Sequence, residues 1–362
     1  MSAFVNVLSG GLNAQQVSGG VMQLWDTFFL VVPLVSTTFA SFPRLFAGVG
    51  REQLAWLLID EAGQAAPQQA VGAIWRARRS IIVGDPLQLE PVVGVREELM
   101  QPLLQRSFSE NHWAPPAASA QTLADRANRY GMLLGNPDSD SRVWLGSPLL
   151  VHRRCLDLMF KIANSIAYHN KMVYGAEEDA GPEGIGRSRW IDVPAEFSEG
   201  HWVEAQASVA LDLIHAITGG TLKQKGQFKA YVVTPFKTVS DKSCELLSTR
   251  YGEASKGMAG TVHTFQGKEA EHVIFLLGGN PKTPGVIASF AGAKPNLVNV
   301  AVTRAKRRLY VVGDLAYWTG PSDLHRIFTR MAEELDVGYR ESDLKPVGSQ
   351  FGAGMLTSGH DA

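Results

Sequence analysis

Four apolar residues, Trp56 to Ile59, run directly into Asp60 and Glu61 in the segment LAWLLIDEAGQA. If the run is a strand of a parallel sheet, both carboxylates stand at its carboxyl edge, where α/β proteins bind ligands. Magnesium takes hard oxygen ligands, often through water, and phosphoryl transfer to water needs a group that orients the nucleophile. Neighbouring acids can divide these tasks, with Asp60 on the ion. Taken alone, the pair fits equally well a capping acid after a core strand.

Further along, SIIVGDPLQLEPVV repeats the pattern with Gly84-Asp85, a proline turn and Gln88. A neutral amide there can hydrogen-bond a terminal phosphate or an attacking water. A plain strand and turn is the other possibility, since Gly-Asp-Pro is ordinary turn chemistry. Near the other end, NVAVTRAKRRLYVVGD sets Arg304 among basic residues before another apolar run. By itself that favours a solvated basic helix end, but a guanidinium fork also supplies fixed donors to charge building on a transferred phosphoryl group.

These groups need a scaffold, and the chain has the material for one. Apolar runs of strand length recur: FLVVPLVS (read as a buried strand), LAWLLID, SIIVGD, AYVVTP, HVIFLLGG and LYVVGD. Near-continuous apolar runs suit parallel strands covered on both faces. Between them, Gln121 to Tyr130, Leu156 to Tyr168 and Trp202 to Ile217 have helical periodicity. Alternating strands and helices predict an α/β, doubly wound architecture. At 362 residues with 45% hydrophobic content, two packed domains are expected. They are a first lobe over 1–100 and a second over 149–335, with an irregular helical connector at 101–148 and a Gly/Ser-rich, disordered tail over 336–362.

A formal net charge of -1 hides a local imbalance, because Lys223, Lys225, Lys229, Lys237 and Lys242 cluster. Neutrality overall therefore leaves room for a basic groove. Cys155 and Cys244 are the only cysteines, too few and too isolated for a disulfide framework or a zinc site, so a reducing, cytoplasmic setting fits. The run Phe28 to Val35 is far shorter than the roughly 20 residues that cross a bilayer, so no membrane partner is expected. Eight tryptophans are present, candidates for packing first and base stacking second.

Together, DEAGQA and GDPLQLEP resemble motifs II and III of superfamily 1 helicases, in the branch that includes the nonsense-mediated-decay helicase and its bacterial relatives. The resemblance continues in order along the chain. VVSTTFASFPRLF resembles motif Ic, which implies that Ser36, Thr37 and Thr38 hold single-stranded nucleic acid; helix capping by Thr37 and Thr38 is the other option. VHRRCLDLMFKIANSIAYHNKMV resembles motif IV, with Arg153 as the arginine that reaches the nucleotide and Arg154 as second choice. VVTPF resembles motif IVa, with Thr234 on the nucleic-acid backbone. GTVHTFQGKEAEHVIFLL resembles motif V, with Thr261 and Thr264 near backbone phosphate and Gln266, Gly267 and Glu269 near the nucleotide, as are Gly84 and Asp85 of motif III. NVAVTRAKRRLYVVGD resembles motif VI, with Arg304 as a second arginine finger. A finger of this kind contributes about 4 to 7 kcal/mol of barrier lowering.

The resemblance implies two RecA-like lobes, ATP and Mg2+ as cofactors, and single-stranded DNA or RNA as partner. It also exposes a gap, because no G-x-x-x-x-G-K-[ST] loop occurs and only 35 residues precede Ser36. Gln266-Gly267-Lys268-Glu269 lacks the hydroxyl residue. The first lobe is therefore expected to be incomplete at its amino terminus, the Mg2+ site incomplete, and ATP turnover weak or absent unless another, P-loop-bearing polypeptide supplies the loop. The contrasting expectation is a non-catalytic module that binds single strands without regard to ATP. Neither a G-x-S-x-G elbow nor a G-x-G-x-x-G fingerprint follows a strand, which leaves hydrolase and dehydrogenase alternatives without support.

Overall fold

The computed structural model describes residues 5–6, 9, 20–95, 97–107, 113–135, 142–176, 186–220, 222, 229–280, 282–283 and 290–339. The chain divides into two compact units, residues 1–148 and 149–362.

In the first unit, helices α1 (Val21–Phe29) and α2 (Phe42–Leu45) precede strand β1 (Leu54–Ile59), helix α3 (Pro67–Arg76) and strand β2 (Ala77–Ile82). Strands β1 and β2 pair in parallel, with Trp56 opposite Arg79 and Ile59 opposite Ile82. Leu54, Leu57, Ala73 and Ala77 pack with Trp25, Phe42 and Phe46, and Ile59 packs with Ala62, Ala65, Ala70 and Ala120. Trp56, Leu58 and Ile81 are exposed, with the Arg79 guanidinium 5.2 Å from the Trp56 ring centroid.

The run Phe28–Val35 does not form the expected buried strand. Phe28 and Phe29 end α1, where both rings pack on Trp25, and Val31, Val32 and Leu34 are exposed outside any strand. Two features oppose the strand: Pro33 offers no ladder donor, and the Val21, Trp25, Phe28 spacing puts an apolar stripe on one helix face.

Residues 101–148, read from sequence as a connector, fold with the first unit. They contain most of helix α4 (Glu97–Arg106), then α5 (Ala120–Ala127) and the antiparallel hairpin of β3 (Gly131–Leu134) and β4 (Val143–Gly146). The amide of Ala120 donates to the Ala65 carbonyl at 2.8 Å, which seats α5 beside the segment after Asp60.

The second unit opens with β5 (Val151–His152), α6 (Asp157–Ile166), β6 (Val173–Tyr174) and β7 (Arg189–Asp192). It continues with α7 (Glu204–Thr218), β8 (Ala230–Thr234), α8 (Lys237–Tyr251), β9 (Ala259–Thr261) and β10 (Ala270–Leu276). Helix α9 (Asn296–Thr303), β11 (Ala305–Gly313), α10 (Leu315–Trp318), α11 (Arg326–Glu334) and β12 (Asp336–Tyr339) complete it. Six strands form one sheet in the order β12-β7-β11-β10-β8-β9, every pair parallel. The centre is as apolar as the sequence demands: Val273 to Phe275 and Leu309 to Val312 are fully buried. Residues 336–339 form a strand of the sheet; the rest of the tail, like Lys223 and Lys225, lies outside the described residues. Of the other lysines of that cluster, Lys237 pairs with Asp241 and Lys242 with Glu199.

One titratable group in this sheet has a thermodynamic consequence. Burial, reinforced by Arg308, Arg307 and Lys229 against the opposing Glu271, pushes His272 on β10 from 6.5 down to about 4. Its Nδ1 is buried without a hydrogen-bond partner. Between those values the unfolded chain binds a proton that the folded unit refuses. The contribution is thus complete above the ordinary value and lost as pH falls toward 4, a loss of about 3 kcal/mol in all. Thermal melts of the second unit should fall more steeply between pH 7 and 4.5 than those of a His272→Gln variant, and parallel curves would rule this out.

Candidate functional site

Backbone hydrogen bonds bring the two strand ends of the first unit together. Val83 N donates to Ile59 O at 2.8 Å, and Ala62 N donates to Val83 O at 2.9 Å. The crossing is so close that only glycine fits: a Cβ on Gly84 would stand 2.6 Å from Gly63 N, and one on Gly63 would stand 2.8 Å from Asp85 O. Asp60, Glu61, Gly84, Asp85 and Gln88 are thereby gathered at one carboxyl edge.

Within that edge Glu61 is left-handed, with φ 54°, and its amide donates to Asp60 Oδ1 at 2.9 Å. Gln64 Nε2 donates to Glu61 Oε2 at 3.0 Å. The other oxygen of each acid has no partner among the described residues. Asp85 closes its own turn by accepting from Leu87 N at 2.9 Å, and Gln88 Nε2 donates to Asp85 Oδ2 at 3.1 Å, folded back within the turn. Among the described residues no group of three or more His, Cys, Asp or Glu could hold a metal ion. What the edge offers is one or two carboxylate oxygens, the ligand set of a Mg2+ that keeps waters and a phosphate. Ser36 and Thr38 are exposed; Thr38 Oγ1 accepts from Ser41 N at 3.3 Å in the turn before α2.

The second unit has its own polar cluster. Arg153 and Arg154 follow the short strand β5, and the Leu156 amide donates to the Lys306 carbonyl at 3.0 Å, which holds them beside the start of β11. Arg153, Arg154, Lys306 and Glu269 line an open cavity of about 450 Å3. Glu269 pairs with Arg154 at 3.7 Å and closely with Lys306, while Arg153 is exposed with no partner among the described residues. Three cations around one carboxylate leave an excess of positive charge open to solvent. Lys306 escaped the sequence argument. Its signal was position, as it stands two residues after Arg304 on the strand that borders Arg153.

Arg304 lies elsewhere. Its side chain is fully buried, with Nε donating to Val300 O at 3.3 Å and Nη1 to Lys268 O at 3.2 Å. In this conformation it holds the backbone of the Gln266–Glu269 segment rather than facing solvent. Gly267 there has φ +71° with open space around it, and Gln266 Nε2 is buried without a partner. Thr234 is also fully buried, its hydroxyl accepting from Phe236 N at 3.3 Å, so as folded it offers nothing to a nucleic-acid strand. Thr261 and Thr264 bond each other at 3.1 Å, with Thr264 exposed. Cys155, pushed up to about 12 by burial, is an unreactive thiol next to His152.

A six-stranded parallel sheet in the second unit, and parallel strands with acids at their carboxyl ends in the first, make this an α/β protein consistent with RecA-like lobes. Two AAA-domain family models match it, over residues 26–95 and 154–316. It is 22% identical over 317 residues to the DNA replication ATP-dependent helicase/nuclease JHS1 of Arabidopsis thaliana, covering 80% of this chain and 21% of that protein. It is 24% identical over 268 residues to the DNA replication ATP-dependent helicase/nuclease DNA2 of Homo sapiens, covering 71% of this chain and 24% of that protein. The chain thus spans about a fifth to a quarter of the length of these relatives. A solved PRRSV helicase overlays with a TM-score of 0.35 at 13% identity, over 71% of this chain and 34% of that one, a likeness too slight to carry an argument. These matches make the chain similar to AAA-domain helicases, in keeping with its resemblance to superfamily 1. No helix among the described residues is long and apolar enough to cross a membrane.

Proposed function

We propose that this chain acts as the carboxyl-terminal portion of an ATP-dependent nucleic-acid helicase or translocase, its relatives being ATP-dependent helicase/nucleases. The observation that carries this reading is the solvent-facing cation cavity, where, among the described residues, Arg153 has no counter-ion and Glu269 alone opposes Arg154 and Lys306. Unmatched guanidinium and ammonium groups in an open pocket suit a polyanionic phosphate chain. Asp60 would hold Mg2+ through water, and Glu61 and Gln88 would orient the attacking water. The bound ion would supply charge neutralisation on the phosphates. Arg304 contributes by fixing the Gln266–Glu269 backbone, and acts as a finger only if it leaves its buried seat. Ser36, Thr37, Thr38, Thr261 and Thr264 would meet the sugar-phosphate backbone of single-stranded DNA or RNA.

Residues 1–362 contain no G-x-x-x-x-G-K-[ST] sequence, and in this reading a P-loop-bearing polypeptide would supply the cradle for the phosphates. Purified chain is accordingly expected to bind ATP weakly, less so as Arg153→Ala, and to turn it over slowly or not at all, with or without oligonucleotide. Turnover that is fast, stimulated by single strands and lost in Arg304→Ala would contradict the need for an outside loop. Salt-sensitive oligonucleotide binding together with no ATP binding would favour a non-catalytic module. If neither ligand bound, the motor reading would fail.

A further inference from the structure

Arg153 and Arg154 sit in a turn whose two ends are joined by a side chain. The turn begins at His152, the last residue of β5, and ends at Cys155. The Cys155 amide donates to His152 Nε2 at 3.1 Å, and Cys155 Sγ lies 2.9 Å from the same nitrogen. A backbone N–H is always the donor, so Nε2 carries no hydrogen and His152 is the neutral tautomer protonated at Nδ1. The thiol is then the second donor. Burial pushes it up to about 12, so it keeps its hydrogen. Burial, with the Arg154 charge behind it, also holds His152 below its ordinary value, which preserves Nε2 as an acceptor.

Backbone bonds fix both ends of the turn. The His152 carbonyl accepts from Gly175 N at 2.9 Å, and the Leu156 amide donates to Lys306 O at 3.0 Å. The His152 ring packs on Phe160 of α6 with centroids 5.6 Å apart, and Phe160 packs on Tyr174 at 5.3 Å. The two residues bracketed in this way are both exposed, and both line the cation cavity with Lys306 and Glu269. On an untied segment each arginine would have to be ordered when an anion bound, at a cost in conformational entropy. Here folding has already ordered the backbone that carries them. A simple cap would need one bond to one amide, whereas this nitrogen takes both donors of Cys155.

We propose that His152 is a positioning residue for the cation cavity: by holding the Cys155 amide and thiol, its Nε2 presets Arg153 and Arg154 for a polyphosphate chain. The inference rests on the proposed function, since it assigns a support to the same cavity. His152 touches no ligand and acts through the two guanidinium groups.

The test is isothermal titration calorimetry of the full chain with sodium tripolyphosphate, which carries the phosphate chain of ATP without its base or sugar. His152→Gln and His152→Asn differ by one methylene: the Gln oxygen reaches the place of Nε2, the Asn oxygen only that of Nδ1. His152→Gln should bind as the parent does, and His152→Asn about three- to tenfold more weakly. Arg153→Ala should weaken the parent about tenfold but the Asn variant less than about threefold, because an arginine no longer preset contributes less. Long-range 1H–15N NMR of the parent at neutral pH should show the His152 hydrogen on Nδ1, and an Nε2–H tautomer would overturn the proposal. Thermal melts accompany the titrations; should the Asn variant fail to fold, the tautomer and the Gln variant decide, a tenfold loss in the latter counting against the role. If the parent binds and the Asn variant binds equally well, or the two losses simply add, the positioning role is wrong and the cavity reading stands. If the parent does not bind tripolyphosphate at all, both fall.

Discussion

Replacing Arg304 by alanine is expected to destabilise the second unit by about 3 to 5 kcal/mol, a fall of roughly 10 °C in its melting temperature. The side chain has no solvent exposure, so truncation leaves a cavity between α9 and β11. It also strips the Lys268 carbonyl of its charged donor, while the Val300 carbonyl keeps the backbone amide of residue 304 and the Thr303 hydroxyl. Each buried acceptor left unpaired costs about 1 to 3 kcal/mol, and the void adds to that. Arg304→Lys keeps the charge but not the planar fork, and should fall between parent and alanine. Differential scanning calorimetry checks the order. A surface arginine whose only task is to reach a phosphate would melt unchanged on truncation, so an unshifted transition would mean that the buried seat is not the resting conformation.

The second large effect is expected at Gly84. Alanine there puts a methyl group 2.6 Å from Gly63 N and 2.9 Å from Ala62 N, both backbone atoms that cannot swing aside. Separating the ends of β1 and β2 should cost the first unit about 3 kcal/mol, at the upper end for overpacking. Because Val83 N and O both bond across this crossing, the strand ends carrying Asp60 and Asp85 should move apart together. Gly63→Ala attacks the same approach from the other side, 2.8 Å from Asp85 O. Once the crossing has opened, a second methyl costs little, so the double variant should be far less destabilised than the sum of the singles. Urea unfolding followed by fluorescence measures the cycle, and strict additivity would refute a shared contact.

How much was legible beforehand differs by segment. LAWLLID, HVIFLLGG and LYVVGD read as strands because their apolar runs are uninterrupted, and all three are strands with Asp60 or Gly-rich ends where expected. FLVVPLVS has the same apolar content and is not a strand, since run length cannot register that Trp25 collects Phe28 and Phe29 into a helix face. The hairpin of β3 and β4 was hidden in a segment that looks irregular; its pairing depends on Asp125, remote from Gly146 in sequence.

The amino-acid sequence by itself determined the class: parallel strands, acids at a strand end, and a serial order of motifs that resembles superfamily 1 helicases. Those are local or ordered properties, carried by residue type and spacing. Tertiary structure alone decided which polar groups face solvent. It buried Arg304 and Thr234, left Arg153 without a counter-ion among the described residues, and set Lys306 beside it. The reason is physical. Whether a cation or a hydroxyl spends its donors on the protein's own carbonyls or on a ligand depends on groups brought close by packing, and sequence spacing carries no measure of that distance.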